Sequence, residues 1–155
     1  GAYRGAAVYF AISDDDGATF RGDFKVADHC CECCRLALQP EGDGTVVALW
    51  RHVFAPNVRD HASAVLRPDG TVEPLRRVTF DDWRIDVCPH HGPALTAASG
   101  LIRHAVWFSG TPGQAGVFLG RLAETGVERV QAVGGPTAEH ADAASAGPRV
   151  LVAWK

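Results

Sequence analysis

The sequence predicts an all-β protein, and three features support that prediction. Its 155 residues include 17 glycines and 9 prolines spread along the chain, which indicates many turns. No stretch has the sustained 3.6-residue apolar period of an amphipathic helix, whereas short runs of alternating apolar residues recur. These runs come in hairpin-like pairs that repeat along the chain. Such repetition favours a β-propeller of four-stranded blades.

The first predicted hairpin is residues 5–27, "GAAVYFAISDDDGATFRGDFKVA", whose two apolar runs flank an acidic turn. A second pattern then occurs three times: a small apolar strand, a glycine-containing turn, and an apolar strand that ends in tryptophan. The three copies are Leu36–Trp50, Pro93–Trp107 and Ala141–Trp154. Because they share a repeat position, the tryptophans are expected to pack in the core between blades: Trp50, Trp107 and Trp154.

A further hairpin follows each of the first two copies, at residues 62–78 and 116–133. Each full copy therefore supplies four short strands in about 50 residues, which is the size of one propeller blade. The chain then holds about three blades and is predicted to belong to a six-bladed propeller. A β-sandwich with accidental similarity between its hairpins is the competing fold. The predicted blade segments, within a single domain of residues 1–155, are residues 1–29, 36–80, 93–133 and 141–155.

The predicted blades do not by themselves make a closed ring. Three twisted four-stranded sheets are too few to close, and an open arc leaves sheet edges bare. We therefore expect the chain to be a segment of a longer propeller. The alternative is a head-to-tail homodimer that completes six blades.

Charge and hydropathy restrict the classes of partner. The formal net charge is −3 with no basic block, which argues against a nucleic-acid partner. No window approaches the roughly 20 apolar residues that a membrane-spanning helix needs. The sequence therefore predicts neither a nucleic-acid partner nor a membrane span.

The acidic stretch "SDDDGATF" is predicted to be a turn rather than a catalytic or metal-binding cluster. Asp and Ser side chains bond nearby backbone N–H groups, and a glycine permits positive φ. The aromatic residue after the turn is expected to tuck into the blade. A calcium loop is the alternative, but the ligand spacing and distal Glu of an EF-hand are missing. The pattern Ser-x-Asp-x-Gly-x-Thr-aromatic is formed by Ser13, Asp15, Gly17, Thr19 and Phe20.

This pattern resembles the Asp-box of the sialidase, or BNR-repeat, superfamily. Five further stretches are similar to a bacterial branch of exported sialidase-like propellers: "CECCRLAL", "RHVFAPNVRDHA", "FDDWRIDVCPHHGPAL", "HAVWFSG" and "EHADAA". The resemblance covers essentially the whole chain. It implies a periplasmic or secreted protein that binds or cleaves a glycan, so the expected partner is a carbohydrate or another small ligand. It also implies that the Asp-box lies far from the catalytic face.

Polar residues are concentrated in segments beside the predicted inner strands. Residues 51–61 follow the first tryptophan-ended strand, and residues 80–92 and 139–142 precede the next two inner strands. In a propeller such connections line the mouth of the central channel, so we expect them to converge. The side chains predicted to cluster there are His52, Arg59, Asp60, His61, Trp83, Arg84, Asp86, His90, His91 and His140.

The resemblance implies an exo-sialidase type of glycoside hydrolase, which needs arginines for the substrate carboxylate and an acid. The predicted catalytic residues are Arg59, Asp60, Arg84 and Asp86. The predicted ligand-binding residues are Arg51, His52, His61, Trp83 and His140. The family uses a Tyr nucleophile activated by a Glu, whereas Tyr3 and Tyr9 lie on or before the N-terminal strand. Whether the protein is an enzyme is therefore left open. If it is not an enzyme, the expected function is glycan binding without cleavage.

The sequence also contains seven histidines and five cysteines, whose thiolates and imidazoles suit copper or zinc. A non-catalytic copper- or zinc-binding envelope protein is thus the alternative function, although the spacing matches no zinc finger. The predicted metal ligands are Cys33, Cys34, Cys88, His90 and His91. The export implied by the resemblance favours disulfides instead, with a bridge from Cys33 or Cys34 to Cys88 and one thiol left unpaired.

Overall fold

The computed structural model of the chain describes residues 5–99 and 102–155, and these residues form strands, turns and loops without a helix. None of them therefore belongs to a helix able to cross a membrane. Tyr3 and the first four residues of the predicted N-terminal blade segment lie outside the described residues. The strands are β1 (Ala6–Ile12), β2 (Arg21–Cys30), β3 (Ala37–Pro40), β4 (Val46–Arg51), β5 (His61–Leu66), β6 (Arg76–Arg77), β7 (Ala94–Ala98), β8 (Ile102–Ser109), β9 (Gly116–Ala123), β10 (Gly126–Gly134), β11 (Asp142–Ala146) and β12 (Arg149–Ala153).

The strands form four antiparallel sheets in chain order, so the prediction of an all-β protein is confirmed. The first sheet is β1–β2, the second β3–β4–β5–β6, the third β7–β8–β9–β10 and the fourth β11–β12. Every predicted hairpin is present within the described ranges. In the second sheet, for example, Leu49 lies opposite Ala37 on one side and opposite Ser63 on the other.

The sheets stack face to face in the order in which they follow in the sequence. Successive strand residues point to opposite faces, so a strand buried on both faces can supply two cores. On β4, Ala48 and Trp50 face the first sheet, whereas Val47 and Leu49 face the third. A third apolar cluster, which includes Val106, lies between the third and fourth sheets. This double burial explains why β4 and β8 each contain five successive buried residues, at 47–51 and 105–109.

Two of the three repeated tryptophans lie in these cores. Trp50 is 0% exposed and Trp107 is 2% exposed, which confirms their predicted packing role. The expectation for Trp154 is wrong, because 46% of this residue is exposed. Trp154 follows β12, and among the described residues β12 pairs only with β11. Leu151 on the same hairpin is also exposed, so this short sheet buries only one of its faces.

The acidic stretch between β1 and β2 is a turn, as predicted. Ser13 Oγ donates to Asp15 Oδ1 over 2.8 Å and accepts the N–H of Gly17 over 2.8 Å. Thr19 donates its backbone N–H (2.9 Å) and its hydroxyl (2.6 Å) to the Asp15 carboxylate. These bonds, led by those from Thr19, lower the pKa of Asp15 to about 2. The expectation that Phe20 tucks into the sheet is wrong, because it is 67% exposed.

Candidate metal centre

The cysteine run lies where β2 meets the end of β4. β2 ends at Cys30, and the N–H of Cys31 donates to the carbonyl of Arg51 over 2.9 Å. The chain then turns, with the N–H of Cys34 donating to the carbonyl of Cys31 over 3.4 Å. Because this turn is tight, the Cys31 and Cys34 side chains lie side by side. Cys88 approaches them from the long connection between β6 and β7.

Four sulfur atoms converge at this point. The Sγ atoms of Cys31, Cys33, Cys34 and Cys88 all lie within 4.8 Å of one another. Cys33 and Cys88 form a disulfide, with their Cα atoms 6.4 Å apart. Cys31 Sγ lies 3.1 Å from Cys88 Sγ, and the Cys34 thiol donates to Cys31 Sγ over 3.3 Å. Cys31 and Cys34 are buried, whereas Cys33 and Cys88 are more accessible.

Two buried guanidinium groups line the sulfur cluster; Arg51 and Arg59 are each only 1% exposed. Arg51 donates to three backbone carbonyls, those of Arg59 (2.6 Å), Phe108 (2.7 Å) and His91 (3.1 Å). Arg59 donates to Asn57 Oδ1 over 3.1 Å and, through Nη1, to Cys31 Sγ over 3.5 Å. The arginines therefore join three segments of chain and place positive charge next to the sulfur atoms.

This environment makes the cysteine thiols unequal. The hydrogen bond from Cys34, followed by the charges of Arg59 and Arg51, lowers the pKa of Cys31 to about 6, against the effect of burial. Donation of the same hydrogen bond and burial raise the pKa of Cys34. Burial raises the pKa of Cys30 to about 11. Cys31 is therefore the thiolate of the cluster near neutral pH, and Cys30 remains a thiol.

Several residues predicted from the sequence surround this centre. The N–H of Arg59 donates to the carbonyl of Trp83 over 2.7 Å, and the Arg51 guanidinium lies 5.0 Å from the Trp83 ring centre. His91 stacks on Phe108 with ring centres 4.2 Å apart and lies 5.5 Å from the His140 ring. The structure thus places Arg59, Trp83, His91 and His140 in one neighbourhood with Arg51, and their catalytic and ligand-binding roles stay predictions.

Arg84 and Asp86 lie at the exposed side of the same neighbourhood. Asn57 Nδ2 donates to Asp86 Oδ1 over 2.8 Å, and the backbone of Arg84 pairs with that of Val58. These contacts hold the connection that carries Cys88 against the loop after β4. Both side chains are exposed, and their catalytic roles stay predictions.

Asp60 and His61 are completely enclosed on the strand side of the centre. Asp60 is 0% exposed, pairs with Arg77, and accepts the N–H groups of Asp81 and Asp82 over 3.2 Å each. His61 is also buried, and its backbone N–H donates to Thr79 Oγ1 over 2.9 Å. These contacts order the start of the connection after β6. The proposed roles of Asp60 in catalysis and of His61 in ligand binding stay predictions.

His52 is placed elsewhere, in the core between the first and second sheets. Its ring lies 4.5 Å from that of Phe54 and accepts a 3.4 Å hydrogen bond from Trp50 Nε1. Burial, followed by the charge of His29, lowers the pKa of His52 to about 4. His52 is therefore a neutral core histidine above that pH, and its role as a ligand-binding residue stays a prediction.

The converging ligand set differs in some members from the sequence prediction. Cys33, Cys34 and Cys88 were predicted, and their sulfur atoms do meet. Cys31 was missed, although the spacing Cys31-x-x-Cys34 is a signal for two cysteines on one turn. In the region of the chain that the structure describes, the convergent group consists of four cysteines and does not include His90 or His91.

Comparison with known proteins adds no assignment. No family model matches this chain, and neither a curated protein nor a solved structure matches it. The sialidase-like resemblance is therefore an expectation from the sequence motifs.

Proposed function

We propose that the chain belongs to a β-propeller of the cell envelope that binds a thiophilic metal ion through four cysteines. The convergence of four sulfur atoms within 4.8 Å is the observation that carries this proposal. The proposed ligands are Cys31, Cys33, Cys34 and Cys88. A propeller arrangement is supported by the face-to-face stacking of the sheets and by the neighbouring positions of their first strands, β3, β7 and β11.

The spacing of the sulfur atoms suits a tetrahedral thiolate site. A zinc–sulfur bond of about 2.3 Å places tetrahedral sulfur ligands about 3.8 Å apart. Reduction of the Cys33–Cys88 bond frees all four sulfurs, which already lie within 4.8 Å of one another, to adopt that separation. Metal binding then displaces the thiol protons, as it does in other thiolate sites.

The charge of the site favours zinc over copper(I). Four thiolates leave about two negative charges around a divalent ion, and about three around a monovalent ion. Buried charge is costly unless a partner compensates for it. The guanidinium groups of Arg51 and Arg59 are buried beside the sulfurs and supply two positive charges. The zinc form is thus close to neutral, and the copper(I) form is not.

Titration of the reduced, metal-free protein with Co²⁺ and then with Zn²⁺ tests this proposal. We expect one Co²⁺ per chain with the intense sulfur-to-cobalt absorption of a tetrathiolate, displaced by Zn²⁺. Cys34→Ser should weaken binding by more than the roughly 10–100-fold typical of an outer-shell change. Cys30→Ser is the matched control, because Cys30 is buried and directly precedes Cys31 but is not one of the four convergent cysteines. Absence of the absorption, or equal loss in both variants, would contradict the proposal.

A sialidase-like glycan function is the second candidate, and the Asp-box hydrogen bonds support it through the motif that they stabilise. Arg84, Asp86 and His140 are exposed members of the predicted site that a sugar can reach. Hydrolysis of a fluorogenic sialoside that is abolished by Arg84→Ala would support this function. Absence of hydrolysis, together with absence of binding to a sialoside array, would exclude it.

The disulfide and the number of blades support a cellular location and a mode of assembly. The Cys33–Cys88 disulfide of the metal-free form is expected in an oxidising compartment, which supports a periplasmic or secreted protein. The remaining blades would come from further chain or from a second copy arranged head to tail. The mass of the protein in solution distinguishes a monomer from the dimer.

A further inference from the structure

We infer that the four cysteines also form a thiol–disulfide relay, which moves a disulfide between an accessible pair and a buried pair. The accessible pair is Cys33–Cys88, which is bridged, and the buried pair is Cys31 and Cys34. The inference concerns the metal-free protein and does not require the cluster to bind a metal.

The sulfur contacts form a continuous path between the two pairs. Exchange begins when a thiolate attacks one sulfur of a disulfide. Cys31 Sγ lies 3.1 Å from Cys88 Sγ, which is one of the two bridged atoms. On its other side, Cys31 Sγ lies 3.3 Å from Cys34 Sγ. Cys31 Sγ is thus in contact both with the disulfide that it can attack and with the Cys34 thiol with which it can form a new disulfide.

The relay conserves atoms and electrons in two steps. The Cys31 thiolate attacks Cys88 Sγ, the Cys31–Cys88 bond forms, the Cys33–Cys88 bond breaks, and the electron pair leaves on Cys33 as a thiolate. Cys34 then gives its proton to the Cys33 thiolate and attacks Cys31 Sγ, and Cys88 leaves as a thiolate. The net change is a disulfide at Cys31–Cys34, a thiol at Cys33 and a thiolate at Cys88, without an external oxidant or reductant.

Burial decides where an outside partner enters. Cys31 is 0% exposed and Cys34 is 6% exposed, so an external thiol cannot reach them directly. Cys33 and Cys88 lie toward the surface and can exchange with a partner. The partner is a cysteine thiol or disulfide of a peptide, with glutathione as the simplest member of that class. Through the relay, the buried pair is oxidised or reduced by a partner that it never contacts.

Disulfide mapping of the full chain tests the relay. The metal-free protein is incubated in a glutathione redox buffer, quenched with acid, alkylated, and analysed by mass spectrometry. We expect wild type to contain both Cys33–Cys88 and Cys31–Cys34 bridges. Cys34→Ser removes the second attacking thiol and should accumulate the Cys31–Cys88 intermediate. Cys31→Ser should retain only Cys33–Cys88, and Cys30→Ser, the control, should behave as wild type.

Two results would overturn the inference. One is a wild-type protein in which Cys33–Cys88 is the only bridge at every redox poise. The other is Cys34→Ser protein with no Cys31–Cys88 bridge, in a sample whose circular dichroism is that of the folded wild type. Neither result bears on the Co²⁺ titration of the reduced protein, so failure of the relay and failure of the metal site are separate outcomes.

Discussion

The acidic turn at residues 13–20 and the four-cysteine centre are both dense polar features, but they are built in opposite ways. In the turn, every bond among Ser13, Asp15, Gly17 and Thr19 spans at most four residues, and the side chains are exposed. In the centre, the Cys31 and Cys88 sulfurs meet across 57 residues and beside buried arginines.

A polar group that is satisfied by its own turn stabilises that turn and has little capacity left for a ligand. Groups that converge from distant segments into a buried place cost free energy to bring together. The folded chain meets that cost at the cysteine centre, and this is why we assign the chemistry there and not to the aspartates.

Among the substitutions that compare the two regions, Arg51→Met should have the largest effect on stability. Three backbone carbonyls lose their donor, and the thiolate of Cys31 loses a nearby positive charge. We expect the free energy of unfolding to fall by roughly 3–5 kcal/mol, measured by urea denaturation. Arg21→Met is the matched control, because Arg21 forms an exposed ion pair with Asp14 of the acidic turn. Its expected effect is a few tenths of a kcal/mol, and equal losses would show that the two regions do not differ.

The second-largest expected effect is on the pH dependence of stability, which should differ between His52 and the acidic turn. The pKa of His52 falls from 6.5 to about 4, so below about pH 6.5 the unfolded state binds the proton first. The contribution of neutral His52 to stability is therefore complete above pH 6.5 and is lost as the pH falls toward 4. Between about pH 7.5 and pH 5 we expect His52 to account for a loss of roughly 2 kcal/mol.

Urea denaturation at the two pH values, with His52→Gln and with His90→Gln as the exposed control, measures this loss. Only His52→Gln should flatten the profile, and unchanged slopes in both variants would contradict the prediction. The acidic turn titrates in a different window. The pKa of Asp15 is lowered from 3.8 to about 2, so its contribution is complete above pH 3.8 and is lost as the pH falls through 2.

The smallest effect is expected for Asp15→Ala. The variant loses bonds from Ser13 and Thr19 within an exposed turn, so its stability should fall by less than that of Arg51→Met. Its Co²⁺ affinity should stay within about twofold of wild type, because the turn shares no partner with the cysteine centre. A large change in metal affinity would contradict the separation of the two regions.

Most of the fold was predictable because its signals are short in range. Alternating apolar residues and glycine-containing turns predicted the hairpins that become β3–β4, β7–β8 and β11–β12. The errors concern burial rather than strand formation. Trp154 has the same sequence context as Trp50, but burial depends on which sheet packs against it.

The candidate site was only partly predictable. Cysteine and histidine content suggested a metal, and Cys33, Cys34 and Cys88 were among the predicted ligands. The inward position of Cys31 was not apparent, because it depends on a backbone bond to the end of β4. Burial of an arginine also depends on tertiary contacts. From the sequence Arg51 and Arg59 were therefore predicted to bind substrate, although their guanidinium groups are buried.

The strands, the hairpins and the acidic turn follow from local sequence, because the bonds of these features join residues close together in the chain. Only the tertiary structure decided that Cys33 meets Cys88 across 55 residues, and that two arginines enclose the sulfur atoms. Those contacts depend on how one sheet stacks on the next. Stacking is a sum of many weak apolar contacts, and no single stretch of sequence encodes it.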